Sequence, residues 1–280
     1  MKQRILILGA GFGGLEAATS LSERLGAAAE ITLIDKNDYF IIGFSKLDVM
    51  FGRRSATEVK AYYRDIAGEG IHFIQDTIEQ IDPEAKRVKT ASAEFSYDFL
   101  IVALGADLVH EAIPGFAQGG YEFYSLQGAQ NLYPVINEFR AGTILIGIFD
   151  KPYKCPPAPY EVAFQLHDLF VKKGIRAEIN IKMLVPGPTP LPVAKEASTE
   201  IERRLGERNI EFLSQHKVIE IDPDHQRAII AGRGAISYDL FIGVPIHKPP
   251  LVVRQSPLGK QGWIPVNETN LETSFKNVYA

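Results

Sequence analysis

Short runs of Ile, Leu and Val alternate along the chain with segments of helical periodicity. Residues 5–8 predict a buried strand, residues 12–25 predict a helix rich in Ala and Leu, and residues 31–34 predict a second strand. This order is typical of a βαβ unit, so the pattern indicates an α/β protein with mostly parallel sheets. The longest apolar run, near residues 240–246, is far shorter than the ~20 residues of a membrane-spanning helix.

The second half of the chain repeats the first. Three short segments recur in the same order: Ile-Asp-Pro of residues 81–83 at 221–223, Ser-Tyr-Asp of residues 96–98 at 237–239, and Ile-Leu-Ile of residues 5–7 at 144–146. Chance similarity among apolar strands explains one such match, but it does not explain a shared order and spacing. We therefore predict two duplicated Rossmann-like domains of the dinucleotide-binding type.

A glycine-rich loop follows the first predicted strand and opens the first predicted helix. Gly9 allows a tight turn, Gly11 lets the backbone approach a pyrophosphate, and Gly14 allows close packing of the helix on the strand. The N-terminus of the helix stabilises the phosphate charge. The whole loop, including Phe12 and Gly13, is therefore predicted to bind a dinucleotide.

Asp35 ends the second predicted strand, where a carboxylate accepts hydrogen bonds from ribose hydroxyls. An acidic residue there favours the unphosphorylated adenosine ribose of FAD or NAD over that of NADP. Lys36 follows directly and is included in the predicted cofactor site.

The second half has lost this loop, since residues 147–153 read Gly-Ile-Phe-Asp-Lys-Pro-Tyr at the duplicated position. A proline has no N–H to offer a phosphate, and Ile and Phe block a close approach of the backbone. We therefore expect that this domain binds no nicotinamide dinucleotide, and that electrons arrive on a donor other than NADH.

Cys155 lies just before a predicted amphipathic helix over residues 162–173. The helix N-terminus, together with Lys151 and Lys154, is expected to favour the reactive thiolate. Glu161 in the first turn is either a group that handles a proton or an acid that complements the helix dipole. A lone cysteine also fits a small buried hydrophobic residue, so the pattern alone leaves its role open.

Composition and charge argue against several functions. The 280 residues are 46% hydrophobic and carry 30 Lys and Arg against 34 Asp and Glu, a net charge of −4 that offers no basic surface for nucleic acid. One cysteine allows no intrachain disulfide, and no secretory leader follows Met1, so we expect a cytoplasmic protein. The six histidines have no metal-ligand spacing with the cysteine, so no metal site is predicted.

These motifs resemble the sulfide:quinone oxidoreductase and flavocytochrome c sulfide dehydrogenase flavoprotein group of the FAD-dependent pyridine nucleotide-disulfide oxidoreductase superfamily. The similarity extends over essentially the whole chain. Its carriers are the glycine loop with Asp35, Ala103-Leu104-Gly105 where relatives commonly read Ala-Thr-Gly, residues 153–161 around Cys155, and residues 244–250 around His247. The Cys-Pro-Pro stretch is the most specific of them.

The resemblance implies a fold, a cofactor and an activity. FAD is expected as the cofactor, and Ala103 and Gly105 are expected to bind it together with the glycine loop. Cys155 is expected to stand next to the flavin ring and to carry sulfur during sulfide oxidation, with Glu161 and His247 as further catalytic residues. The implied partners are a small sulfur substrate and a quinone, or a haem subunit, as the electron acceptor.

Three departures from the group change these expectations. The sulfide oxidisers use a second cysteine, and this sequence contains only Cys155. Gly43 stands about where haem-linked relatives tether FAD through a cysteine, so noncovalent flavin is expected. Residues 277–280 read like the start of the closing FAD motif, so we expect a truncated form that lacks the C-terminal domain and its membrane-docking segment.

The expected organisation is an FAD-binding domain of residues 1–108, to which residues 252–280 return, and a second domain of residues 109–251. Peripheral contact with a membrane, through the absent segment, and a homo-oligomer both remain open. Two other functions also remain open: a flavoenzyme like type II NADH:quinone dehydrogenase, and a flavin-binding remnant without catalysis.

Overall fold

The computed structural model describes residues 2–66, 68, 70–259 and 262–280. Its contacts divide the chain into two compact units. Unit 1 comprises Met1–Ile41, Lys60–Asp107 and Lys248–Ala280, and unit 2 comprises Ile42–Val59 and Leu108–His247.

Strands and helices alternate through both units. In chain order the strands are β1 Gln3–Leu8, β2 Ala29–Asp35, β3 Tyr39–Phe40, β4 Ala61–Tyr62, β5 Ile71–Gln75, β6 Ile78–Asp82, β7 Arg87–Thr90, β8 Glu94–Ser96, β9 Phe99–Val102, β10 Asp107–Val109, β11 Gly142–Ile148, β12 Ile179–Leu184, β13 Ile210–Leu213, β14 Val218–Asp222, β15 Arg227–Ile230, β16 Gly234–Ser237, β17 Leu240–Val244, β18 Ile246–Lys248 and β19 Val278–Tyr279. The α-helices are α1 Phe12–Leu25, α2 Ser45–Met50, α3 Tyr63–Ile66, α4 Phe116–Gly119, α5 Leu126–Glu138, α6 Ala158–Lys172, α7 Lys195–Glu207 and α8 Leu251–Gln255. Short 3₁₀ turns cover Gly26–Ala28, His110–Ala112, Arg176–Glu178 and Pro257–Gly259.

The core of unit 1 is a parallel five-stranded sheet in the order β19-β9-β1-β2-β5. Ile7 of β1 and Leu33 of β2 are completely buried. Strands that are covered on both faces need apolar side chains at successive positions, which explains the unbroken apolar run of residues 5–8. Helix α1 packs on this sheet with its small buried residue Ala18.

Unit 2 repeats this arrangement. Its parallel sheet has the order β13-β12-β11-β17, which matches β5-β2-β1-β9 of unit 1. Each unit also has a three-stranded antiparallel sheet, and its first strand pair shifts register between Ile78 and Gln80 in unit 1 and between Val218 and Glu220 in unit 2. The predicted α/β class and the predicted duplication are therefore confirmed.

Residues 42–59 depart from the predicted domain of residues 1–108, because they belong to unit 2. Helix α2 in this segment packs against α5 and buries Leu47, Val49 and Met50. Helix α2 is short and mixes polar with apolar residues, so its sequence does not indicate which surface it packs against. Helix α5 lies about eighty residues further along the chain, and its contact with α2 places residues 42–59 in unit 2.

The last part of the chain adds to unit 1. β19 pairs with β9 at the edge of the sheet, with Val278 opposite Leu100, and α8 packs against β6. In the part of the chain that the structure describes, no helix combines the length and the apolar character needed to cross a membrane.

Candidate functional site

The predicted nucleotide loop joins β1 to α1 at the carboxyl edge of the unit 1 sheet. Gly9 has a positive φ of 91°, and a Cβ there would lie 2.5 Å from the carbonyl oxygen of Ala103. A Cβ on Gly14 would lie 1.8 Å from the carbonyl oxygen of Gly9. Both positions therefore require glycine for packing, before any ligand is considered.

Gly11 is different, because a Cβ there would meet no atom within 4 Å. Gly11 is the N-cap residue of α1, and this helix end has no side-chain cap and no acidic residue in its first turn. Open space beside an uncapped helix N-terminus fits the pyrophosphate of a dinucleotide. The neighbouring residues Phe12 and Gly13 are exposed, and the Phe12 ring contacts Phe40 edge-on at 5.0 Å between centroids.

Asp35 braces this loop in addition to its predicted role. Its Oδ2 accepts a hydrogen bond from the Ala10 N–H at 2.8 Å, and its Oδ1 accepts from the backbone and side chain of Asn37 at 2.9 and 3.1 Å. A carboxylate has about four acceptor positions, so one is left for a ribose hydroxyl. Lys36 is exposed, and its carbonyl oxygen accepts from Gln75 at 3.3 Å.

Ala103 and Gly105 follow β9 at the same edge. The Ala103 N–H donates to the Leu8 carbonyl at 2.7 Å, and Gly105 has a positive φ of 68° with open space at its Cβ position. An apolar groove of about 200 Å³ opens beside them, and its lining includes Pro250 and Trp263. From the sequence, Trp263 is expected only to pack beside the returning strand, yet it is 45% exposed and lines this groove.

Cys155 lies in unit 2, in the turn before α6, with an exposed side chain and a positive φ of 51°. Partial desolvation raises the pKa of its thiol above the usual value, and the Glu161 carboxylate raises it further. The Ala158 N–H and the Lys46 ammonium lower it, but they do not outweigh these effects. The expectation that the helix end and the neighbouring lysines favour the thiolate is therefore wrong.

The other two predicted catalytic residues also lie in unit 2. Glu161 is in the first turn of α6, and one of its oxygens accepts from Gln165 at 2.8 Å. His247 is 5% exposed, and its Nδ1 is 2.8 Å from the Pro245 carbonyl, so Nδ1 carries the proton. Its Nε2 is buried and has no hydrogen-bond partner among the described residues. Burial lowers the pKa of His247, and the charges of Lys154 and Lys46 lower it further.

Two residues that sequence reasoning missed, Tyr124 and Lys46, lie near His247. The Tyr124 ring contacts the His247 ring edge-on at 5.1 Å, and its hydroxyl is buried with no hydrogen-bond partner among the described residues. The Lys46 ammonium donates to the Tyr124 carbonyl at 2.5 Å. Burial lowers the pKa of Lys46, and so does the charge of Lys154. A lysine within the apolar stretch of residues 39–50 was the one available sequence signal.

Glu122 fixes the position of Tyr124 through hydrogen bonds to the backbone. Its buried carboxylate accepts hydrogen bonds from the N–H groups of Tyr124 and Ser125, at 2.5 and 2.9 Å, and from the Ser125 hydroxyl. Ser125 in turn caps the N-terminus of α5 through the Gly128 N–H. These bonds keep Tyr124 in one position, with its polar end inside the protein.

The substitution Tyr124→Phe is expected to raise the free energy of unfolding by about 1 kcal/mol, because it removes a buried hydroxyl that has no partner. Tyr160→Phe is the matched control in the same unit, since the Tyr160 hydroxyl donates to the Pro190 carbonyl at 3.1 Å. That variant is expected to lose about 1 kcal/mol. Urea unfolding of the two variants measures the difference, and an equal loss in both would show that the Tyr124 hydroxyl is bonded.

Metal-ligating residues do not gather in the described ranges. No group of three or more His, Cys, Asp or Glu side chains lies close enough there to hold a metal ion.

Known proteins resemble this chain in sequence. The mitochondrial sulfide:quinone oxidoreductase of Mus musculus is 26% identical over 296 residues, which covers 98% of this chain and 64% of the mouse protein. The type II NADH:quinone oxidoreductase of Staphylococcus saprophyticus is 29% identical over 133 residues, or 47% of this chain and 33% of that protein. The chain thus spans less than two thirds of the length of these relatives.

The structure of the sulfide:quinone oxidoreductase from Aquifex aeolicus has the same fold, with a TM-score of 0.89 and 24% identity. It is matched over 99% of this chain and 67% of that chain. The resemblance to the sulfide:quinone oxidoreductase group is confirmed, and the expected cofactor, FAD, agrees with the matching family model. Residues 3–146, more than half of the chain, match the family model described as pyridine nucleotide-disulphide oxidoreductase. The protein therefore belongs to the pyridine nucleotide-disulphide oxidoreductase family.

Proposed function

We propose that this protein oxidises hydrosulfide or a related sulfur species at Cys155 and passes the electrons through FAD to a quinone. The observation that carries the proposal is in unit 2, where the segment after β11 offers a cysteine in place of a glycine loop. The sulfide:quinone oxidoreductase from mouse, which is similar over nearly the whole chain, supports the choice of substrate and acceptor.

The segment after β11 lacks the glycine loop that usually binds a nicotinamide dinucleotide, and its residues serve packing. The Phe149 ring is completely buried and contacts the rings of Phe116 and Phe241 at 4.7 and 5.8 Å. A Cβ on Gly147 would lie 2.6 Å from the Phe241 ring, so this glycine serves packing in the core. In the segment that corresponds to the glycine loop of unit 1, unit 2 thus has a buried aromatic side chain, and this argues against NADH as the donor.

When the Cys155 sulfur reacts with the substrate, the proton of its thiol must pass to an acceptor. Because the thiol pKa is raised, the resting group is protonated near neutral pH. Glu161 interacts electrostatically with this thiol, and we assign it as the group that accepts the proton. The exposed position of Cys155 lets a small sulfur nucleophile reach it.

FAD, when bound, supplies the acceptor for the electron pair from sulfur and the donor for the quinone. The loop at the start of α1 would hold its pyrophosphate, and the remaining acceptor position of Asp35 would take the adenosine ribose. The residues assigned to cofactor binding are Gly9, Gly11, Phe12, Gly13, Gly14, Asp35, Lys36, Ala103 and Gly105. Since quinones dissolve in membranes, we propose that the protein works in peripheral contact with one.

An anaerobic titration of the FAD-loaded protein tests the donor. We expect stoichiometric sulfide to bleach the visible absorbance of the flavin, and micromolar NADH, on the order of ordinary enzyme affinities, to leave it oxidised. Bleaching by NADH alone would replace the proposal with the function of a type II NADH:quinone oxidoreductase. Flavin that binds but is reduced by neither donor would indicate a protein that has lost turnover.

A further inference from the structure

Unit 2 contains two buried polar side-chain atoms that have no hydrogen-bond partner in the described part of the protein. They are the Nε2 of His247 and the hydroxyl of Tyr124, whose side chains are 5% and 7% exposed. Burying a polar atom without a hydrogen bond is unfavourable, so such atoms mark a place where something else binds. The Tyr124 hydroxyl also interacts electrostatically with Cys155.

Positive charge gathers at the same place. The Lys46 and Lys154 side chains interact with each other and with His247, and Lys46 also interacts with Cys155. Within the described residues, none of the ion pairs includes Lys46. One of its three N–H bonds is used by the Tyr124 carbonyl. The buried Glu122 carboxylate also interacts with Lys46, but the two form no ion pair, and Glu122 accepts hydrogen bonds from Tyr124 and Ser125 instead. The half-buried Lys46 ammonium therefore keeps a positive potential that favours an anion.

We propose that Lys46, Tyr124 and His247 form an anion subsite beside Cys155, which binds the sulfur substrate as an anion and selects it over neutral molecules. The inference rests on the proposed function for the identity of that substrate. The ammonium and the hydroxyl donate hydrogen bonds, and the unprotonated Nε2 of His247 accepts one. Two donors and one acceptor complement hydrosulfide, which has a negatively charged sulfur and a single S–H. Lys46 is the specificity-determining residue, because it supplies the charge.

Alkylation of Cys155 by two reagents of the same shape and different charge tests the subsite without any turnover. Iodoacetate is an anion and iodoacetamide is neutral, and both react with the same thiolate. The ratio of their rate constants therefore cancels any change in the fraction of thiolate. In the FAD-loaded protein, Lys46→Met is expected to lower the iodoacetate-to-iodoacetamide ratio about tenfold, with a smaller effect at high salt.

Two further variants make the result specific. Lys46→Arg keeps the charge and is expected to keep the ratio within about twofold of the original, and it shows whether position 46 tolerates substitution. Lys172→Met is the matched control, because Lys172 is exposed in the last turn of α6, at the opposite end of the helix from Cys155. It removes the same charge from the same unit and is expected to leave the ratio unchanged.

The outcomes separate the subsite from the proposed function. An unchanged ratio in Lys46→Met, or an equal fall in Lys172→Met, would overturn the anion subsite even if sulfide reduces the flavin. A fall of both rate constants by the same factor would also overturn it, because Lys46 would then act only on the thiol. The ratio could also fall specifically in Lys46→Met although sulfide does not reduce the flavin. That result would support the subsite and rule out hydrosulfide as its ligand.

Discussion

The substitution Gly14→Ala is expected to destabilise unit 1 by more than about 3 kcal/mol, a large part of the ~5–15 kcal/mol that stabilises a typical domain. The added Cβ would lie 1.8 Å from the carbonyl oxygen of Gly9 and 2.9 Å from its carbonyl carbon. These are backbone atoms at the end of a central strand, so no flexible side chain can move aside. Relief requires α1 to shift away from the sheet, which opens the buried contacts of Ala18. Denaturant unfolding followed by circular dichroism measures the loss.

The control for this prediction is the same substitution at Gly11, three residues earlier in the same loop. Gly11 has a φ of −72°, which alanine adopts freely, and its Cβ would meet no atom within 4 Å. Gly11→Ala is therefore expected to cost less than about 1 kcal/mol of stability. Its methyl group would stand where the pyrophosphate approaches, so FAD affinity is expected to fall about tenfold or more. A stable variant that binds FAD with unchanged affinity would contradict the assignment of this loop.

The substitution Cys155→Ser is expected to slow the reduction of the flavin by sulfide on the order of a thousandfold or more. Serine has nearly the same size and keeps the turn before α6, but its hydroxyl is a far weaker nucleophile at neutral pH and cannot carry sulfur. Anaerobic stopped-flow mixing of sulfide with the FAD-loaded variant measures the rate of bleaching.

Reduction by dithionite provides the control, because this reagent reduces bound flavin without the cysteine. Both proteins are expected to bleach equally with dithionite and to bind equal amounts of FAD. If Cys155→Ser were reduced by sulfide at the original rate, sulfur would not enter at Cys155. The cysteine would then have only a structural role in the turn.

Much of the fold could be predicted from local patterns. Helix α1 begins and ends at the predicted residues 12 and 25, and β1 and β2 contain the predicted strands. These elements are central, and parallel strands covered on both faces leave an unbroken apolar signal in the sequence. The duplication was equally readable, because both copies kept the turn that follows Ile-Asp-Pro and the strand that follows Ser-Tyr-Asp.

The prediction for residues 42–59 was wrong for the opposite reason. Helix α2 has six residues, and its membership depends on contacts with α5 far along the chain. The expected thiolate at Cys155 was wrong on similar grounds. Sequence neighbours suggested Lys151 and Lys154 as the charges that matter, whereas partial burial is the largest influence on the thiol pKa and raises it.

The amino-acid sequence was sufficient to identify the α/β class, the nucleotide loop with Asp35, and Cys155 as a candidate catalytic residue. Each of these depends on spacing over a few positions, and periodicity and glycine geometry act over that range. The surroundings of Cys155 follow from the packing of the folded chain. Lys46, Tyr124 and His247 are separated by about eighty and about one hundred and twenty residues, and the fold brings them together. Desolvation and charge interactions depend on distance in space, so the pKa of the thiol and the unpartnered polar atoms of Tyr124 and His247 arise only when the sheet and helices are assembled.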